Sequence, residues 1–150
     1  MKLSFPILYR TLPFLKAMGP FASLEVAEQT ARQLNQYQGW SSLQQSVFKA
    51  GIEQKPDKRW GSKFVVQARD QIFEDVMRVA GLCAPIALPT LFLQPEKGLN
   101  RKDWQLLPYK TYLKNLRICQ VPGNHWPFLV YPDVFNRTVE EFLEEQSLGQ

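Results

Sequence analysis

The chain has one histidine and two cysteines in 150 residues, and this scarcity removes several kinds of chemistry at the outset. Cys83 and Cys119 supply no disulfide framework for a chain of this size, so both thiols are expected reduced, which suits the cytoplasm. With a single histidine and no paired-cysteine spacing, zinc patterns are absent and no metal is expected. Neither a Gly-aromatic RNA signature nor a basic helix occurs, so nucleic acid is not an expected partner. The loosest concentration of positive charge, 55–59 (KPDKR), also holds Asp57 and a proline, and reads as a solvated turn. No apolar run is long enough to span a bilayer. The segment MKLSFPILYRTLPFLKAMG is apolar, but Pro6, Arg10, Pro13 and Lys16 interrupt it, so it does not read as a signal peptide. Stable membrane insertion is not expected.

What is present is the composition of an ordinary packed domain: 45% hydrophobic and 21% charged residues, with a net charge of +4 from 18 basic and 14 acidic side chains. The first half reads as helical. Ser23 can cap a helix carrying Leu24, Ala27, Ala31 and Leu34 at helical spacing and ending near Gly39. Ser41 and Ser42, each followed three residues later by glutamine, form alternative capping boxes for a second helix ending at Gly51. A polar loop over 55–61 leads to a third amphipathic helix through Phe64, Ala68, Ile72 and Val76 that closes at Gly81, with no strand expected anywhere in this half.

From Cys83 the character changes. After a loop over 84–89, Thr90-Leu91-Phe92-Leu93-Gln94 reads as a compact apolar strand, and Asn100 can cap a helix that Pro108 must break or restart. A second strand follows over 117–121, then a helix opening at Pro132 with Phe135, Val139, Phe142 and Leu143 on its core face. A helix in the connection implies parallel pairing of the two strands. Two parallel strands alone make a poor sheet, because such strands want neighbours and cover on both faces. Self-association through an incomplete edge, or completion by another polypeptide, is therefore expected.

The lone histidine sits in Val121-Pro122-Gly123-Asn124-His125-Trp126-Pro127, on the loop after the second strand. A strand end is where an α/β enzyme places a proton-transferring side chain. Taken in order, Leu88-Pro89-Thr90-Leu91-Phe92-Leu93, this histidine loop, and Pro132-Asp133-Val134-Phe135 through Phe142-Leu143 resemble the C-terminal end of an α/β-hydrolase. In that family a Pro-Thr-Leu strand is followed by a helix, a last strand, a Pro-Gly-x-His turn bearing the catalytic histidine, and a closing helix. The resemblance covers about 85–145. Residues 1–82 then look like a helical cap region, with Trp60-Gly61-Ser62-Lys63-Phe64 similar to a Trp-x-x-Lys-Phe element of some caps, and 83–150 like a C-terminal core segment. The resemblance implies a partial α/β-hydrolase-like fold, a helical cap followed by strand-helix-strand-helix with parallel strands. It further implies ester or related small-molecule hydrolysis with His125 as base and no organic cofactor.

The sequence departs from the family pattern at the nucleophile. None of the eight glycines begins a Gly-x-Ser-x-Gly elbow. Gly39-Trp40-Ser41-Ser42-Leu43 comes nearest and follows a helix, and its serines read first as caps. The loop that commonly carries the family's acid is Gln94-Pro95-Glu96-Lys97-Gly98. It places Gly98 at the acid position, with Glu96 two residues away and better read as a solvated turn residue. The nucleophile half is thus expected on other polypeptide, in a truncated or split form. The alternative is a non-catalytic binding module descended from a hydrolase.

Overall fold

The computed structural model describes residues 19–64, 82–98 and 100–148. The chain divides into two compact units, Met1–Ile72 and Phe73–Gln150. The helix expected through Ile72 and the apolar positions up to Met18 lie outside the described residues.

In the first unit, α1 (Leu24–Ala31) begins at Ser23, whose Oγ accepts from the Val26 N–H at 3.4 Å. It stops earlier than its periodicity suggests, giving way to a 3-10 turn over Asn35–Tyr37. Helix α2 (Ser42–Gly51) resolves the choice between capping boxes in favour of Ser41 and Gln44. Gln44 is 1% exposed, and its amide is fully used. Oε1 accepts from Ser41 N–H at 2.7 Å, while Nε2 donates to the carbonyls of Gln36 and Gln38, both at 3.0 Å. Around this knot, Ala27, Ala31, Phe48 and Ile52 form the core, with Phe21, Leu24, Tyr37, Trp40 and Trp60 packed on it.

The expectation of a strand-free first half is corrected here. Ile52–Gln54 (β1) and Trp60–Ser62 (β2) pair antiparallel, with Ile52 opposite Ser62 and Gln54 opposite Trp60. The supposed polar loop is their turn. Lys58 N–H donates to the Lys55 carbonyl at 2.9 Å, Lys58 takes φ +67°, and Lys55 N–H closes on the Arg59 carbonyl at 2.7 Å. This is a three-residue hairpin with a left-handed last position. Pro56-Asp57 signals the turn, but three-residue strands are too short to show alternation.

In the second unit, β3 (Ile86–Pro95) and β4 (Leu113–Val121) pair in parallel, as the connecting helix implied. The fold is mixed α/β. Both strands begin earlier than their apolar cores indicate. Residues 86–89, expected in a loop, enter the ladder through an irregularity between Ile86 and Pro89. There the Asn115 amide donates to the Ala87 carbonyl and occupies an acceptor that the ladder bypasses.

Helix α3 (Asp103–Tyr112) is capped at Lys102, not Asn100, and runs through Pro108 without breaking. The Gln105 Oε1 accepts from the N–H groups of Arg101 and Lys102 at 3.1 and 3.0 Å, satisfying the helix start. Pro108 lies on the exposed side, where the Trp104 carbonyl left without its partner N–H can meet water. One turn, α4 (Pro127–Val130), and the long α5 (Pro132–Leu148) complete the unit. Val134, Phe135, Thr138, Val139 and Phe142 form the half-buried stripe of α5. Leu143 falls past its edge and is exposed, contrary to the core role expected of it. Arg117 of β4 lies 5.5 Å from the Phe142 ring centroid and hydrogen-bonds Glu145, tying α5 to the sheet.

Candidate active site

Local chemistry at the end of β4 fixes where His125 stands. Val121, 1% exposed, anchors the strand end, and burial of such a side chain is worth about 1.5–3 kcal/mol. The chain then turns through Gly123 at φ +97°, a conformation open to glycine at no steric cost. The Asn124 Oδ1 accepts from the Trp126 N–H at 2.8 Å, an Asx-turn that wraps the backbone around His125. Pro127 opens α4 at a position where its missing N–H costs nothing. His125 is thereby presented on an exposed loop at the carboxyl end of a parallel strand, edge-on to Trp126 with ring centroids 5.3 Å apart.

The neighbouring strand's end is stitched to this loop. Beyond the last ladder pair, Glu96 N–H donates to the Val121 carbonyl at 3.0 Å and Lys97 N–H to the Gly123 carbonyl at 2.9 Å. The loop after β3 and the histidine loop therefore lie side by side. Residues of both loops contribute to a half-open cavity of about 340 Å³ lined by Phe92, Leu93, Pro95, Asn100, His125, Pro127, Phe128 and Phe135. Six of these eight side chains are apolar. Phe128 joins Trp126 and Phe135 in edge-to-face contacts at 6.0 and 5.9 Å, so it packs the last helix and walls the cavity at once.

No family model matches the chain, and no curated protein matches it. Among solved structures, a marine microorganism esterase superposes with a TM-score of 0.61 at 21% identity, covering 91% of this chain and 52% of its own. The fold is mixed α/β and, in part, α/β-hydrolase-like. The chain spans about half the length of that esterase.

Within this hydrolase-like fold, the remaining candidate residues can be placed. Glu96 is exposed and makes no hydrogen bond or ion pair with His125. Gly98, at the position where the resemblance expects an acid, is packed against Pro95. A Cβ there would stand 2.9 Å from both the Cβ and Cγ of the proline. Ser41 is occupied as a cap, accepting from Gln44 N–H at 3.3 Å in the first unit. Cys83 is an exposed free thiol, while Cys119 is free and half-buried within β4. Among the described residues, no three His, Cys, Asp or Glu side chains come together, and no helix is long and apolar enough to cross a membrane.

Asn100 is the cavity residue that sequence reasoning misplaced as a helix cap. It sits at φ +55°, and its carbonyl accepts from the Gln94 Nε2 at 2.6 Å. Asparagine's tolerance of the left-handed region was the available signal.

Proposed function

We propose that this chain is the histidine-bearing segment of a serine-type ester hydrolase, with its nucleophile held on polypeptide outside these 150 residues. The observation that carries this reading is the placement of His125, exposed at the carboxyl end of a parallel strand and opening on an apolar cavity. The absence of a Gly-x-Ser-x-Gly elbow from the sequence, and the extent of the esterase outside the superposed region, are in keeping with a nucleophile supplied from elsewhere.

The chemistry follows from imidazole acting on both sides of a proton transfer. His125 takes the hydroxyl proton as the nucleophile's oxygen attacks the ester carbonyl. It returns that proton to the leaving alkoxide as the carbon–oxygen bond breaks, leaving an acyl-enzyme. It then takes a proton from water as the water oxygen attacks the acyl carbonyl. That proton passes to the nucleophile's oxygen as the acyl–oxygen bond breaks, which releases the acid and regenerates the hydroxyl. Trp126 limits the ring's freedom on one side.

The test is an assembly of this chain with the nucleophile-bearing polypeptide. A fluorophosphonate should label a serine on the latter, and His125→Ala should lower ester turnover by about 10²–10⁴-fold. Unchanged turnover in the variant would overturn the assignment of the base. Absence of any labelled serine would favour a non-catalytic module.

A further inference from the structure

We infer that the 340 Å³ cavity beside His125 is a binding site for the apolar group of a small neutral carbonyl compound, with the Asn100 side-chain amide as its polar anchor. The compound's class is an aryl or branched-chain ester or amide. Only the assignment of the cavity's occupant as a substrate rests on the hydrolase reading above; the binding itself does not.

Size and lining set the class of ligand. The cavity is at the small end of the range for ligand pockets, about 300–1,000 Å³. It is roughly twice an apolar protein cavity of about 150 Å³ that takes benzene. One ring or branched chain plus a short polar extension fills such a space; a long fatty chain does not. Phe92, Phe128 and Phe135 offer aromatic edges and faces, Leu93 and Pro127 offer aliphatic surface, and none of the five carries a charge that would hold an anion.

The polar equipment is equally restricted. His125 and Asn100 are the two lining residues whose side chains can hydrogen-bond. Asn100 is held in place by its backbone, through the left-handed φ and the Gln94 amide on its carbonyl. That leaves the side-chain amide at the cavity wall available to donate to a ligand carbonyl. An apolar pocket with one or two fixed polar groups orients a ligand by those groups and gains affinity from the rest. The pairing of anchor and ring wall therefore selects a molecule that has both features.

The experiment is a titration of the full chain with N-benzylacetamide, which has the ring and the carbonyl and resists hydrolysis, followed by NMR shifts of the phenylalanine and tryptophan resonances. Saturable binding is expected, with shifts concentrated on Phe92, Phe128 and Phe135. Asn100→Gly, which keeps the left-handed backbone without strain and removes the amide, should weaken it about 2- to 10-fold, the range for one hydrogen bond. Leu93→Trp should fill the space and abolish binding. Should the latter variant fail to fold, Phe128→Ala supplies the second measurement, with dispersed shifts elsewhere and weakened binding expected. No saturable binding by the wild-type chain, or equal binding by Asn100→Gly, would overturn the inference. Saturable binding by the wild-type chain together with ester turnover of the assembly unchanged in His125→Ala would sink the catalytic reading alone and leave the binding inference standing.

Discussion

Gly123 and Tyr131 lie so close that any side chain at the glycine would have to displace the tyrosine ring. A Cβ on Gly123 would stand 2.8 Å from a carbon of the Tyr131 ring, and the backbone there already lies at φ +97°. Two independent constraints thus fix the residue two positions before His125. Gly123→Ala should cost about 1–3 kcal/mol from the left-handed backbone alone, measurable by urea denaturation. Adding Tyr131→Ala should recover the steric part and leave the conformational part. A coupling energy near zero in the double-mutant cycle of Gly123→Ala and Tyr131→Ala would show that the ring contact does not matter.

Gly98 is constrained differently, by space without a left-handed backbone. Gly98→Ala should force the loop off the Pro95 ring, at a cost of about 1–3 kcal/mol for overpacking. Replacing Pro95 by glycine in the same chain should relieve most of it, giving a coupling energy of about 0.5–3 kcal/mol in the double-mutant cycle. Gly98→Asp should be destabilised likewise and should not by itself supply an acid to His125. Additive single-variant costs would refute the packing account.

The second unit was the more legible part of the chain, because its signals are chemical as well as periodic. The apolar TLFLQ and RICQV runs, a helix-forming stretch between them and the Pro-Gly turn before His125 each point to one local structure, and the parallel pair follows. Strand starts were not legible, because Pro85 and Pro89 read as loop residues while pairing with β4 draws 86–89 into the sheet. The hairpin at Ile52–Gln54 was hidden by brevity. Its register rests on Trp60 packing against the first unit's core and on the Phe21–Trp60 bridge, neither of which is a local signal. The cavity was invisible for a similar reason: Asn100, His125 and Phe135 meet only once the two strand ends lie side by side.

Gln44 should be the most sensitive polar position of the first unit. It is buried and answers one N–H and two carbonyls. Gln44→Ala removes these bonds together and opens a void, for an expected loss of about 2–4 kcal/mol. Gln44→Glu keeps the acceptor for Ser41 N–H but turns a second oxygen toward the Gln36 and Gln38 carbonyls. It should therefore be destabilising at pH 7 and partly rescued as the carboxyl is protonated. A thermal melt of Gln44→Glu at pH 7 matching that of wild type would remove the case for the two carbonyl bonds.

Arg117 and Glu145 give α5 a pH-dependent fastening. The hydrogen bond from Arg117 holds the Glu145 carboxyl below its ordinary 4.5; exposure limits the opposing effect of burial, and the charge of Arg117 adds to the lowering. A carboxyl lowered on folding contributes stability above its unfolded-state value and loses it as pH falls through the folded one. Wild type should therefore melt above Glu145→Gln at pH 7, and the gap should close as pH drops below the ordinary carboxylate range. Since both side chains are exposed, added salt should narrow the pH 7 gap as well. The Arg117–Phe142 contact survives Glu145→Gln, so the variant isolates the ionic part of the fastening. A gap that stays constant from pH 7 to 3 would assign the difference to helix propensity or packing instead of to the ion pair.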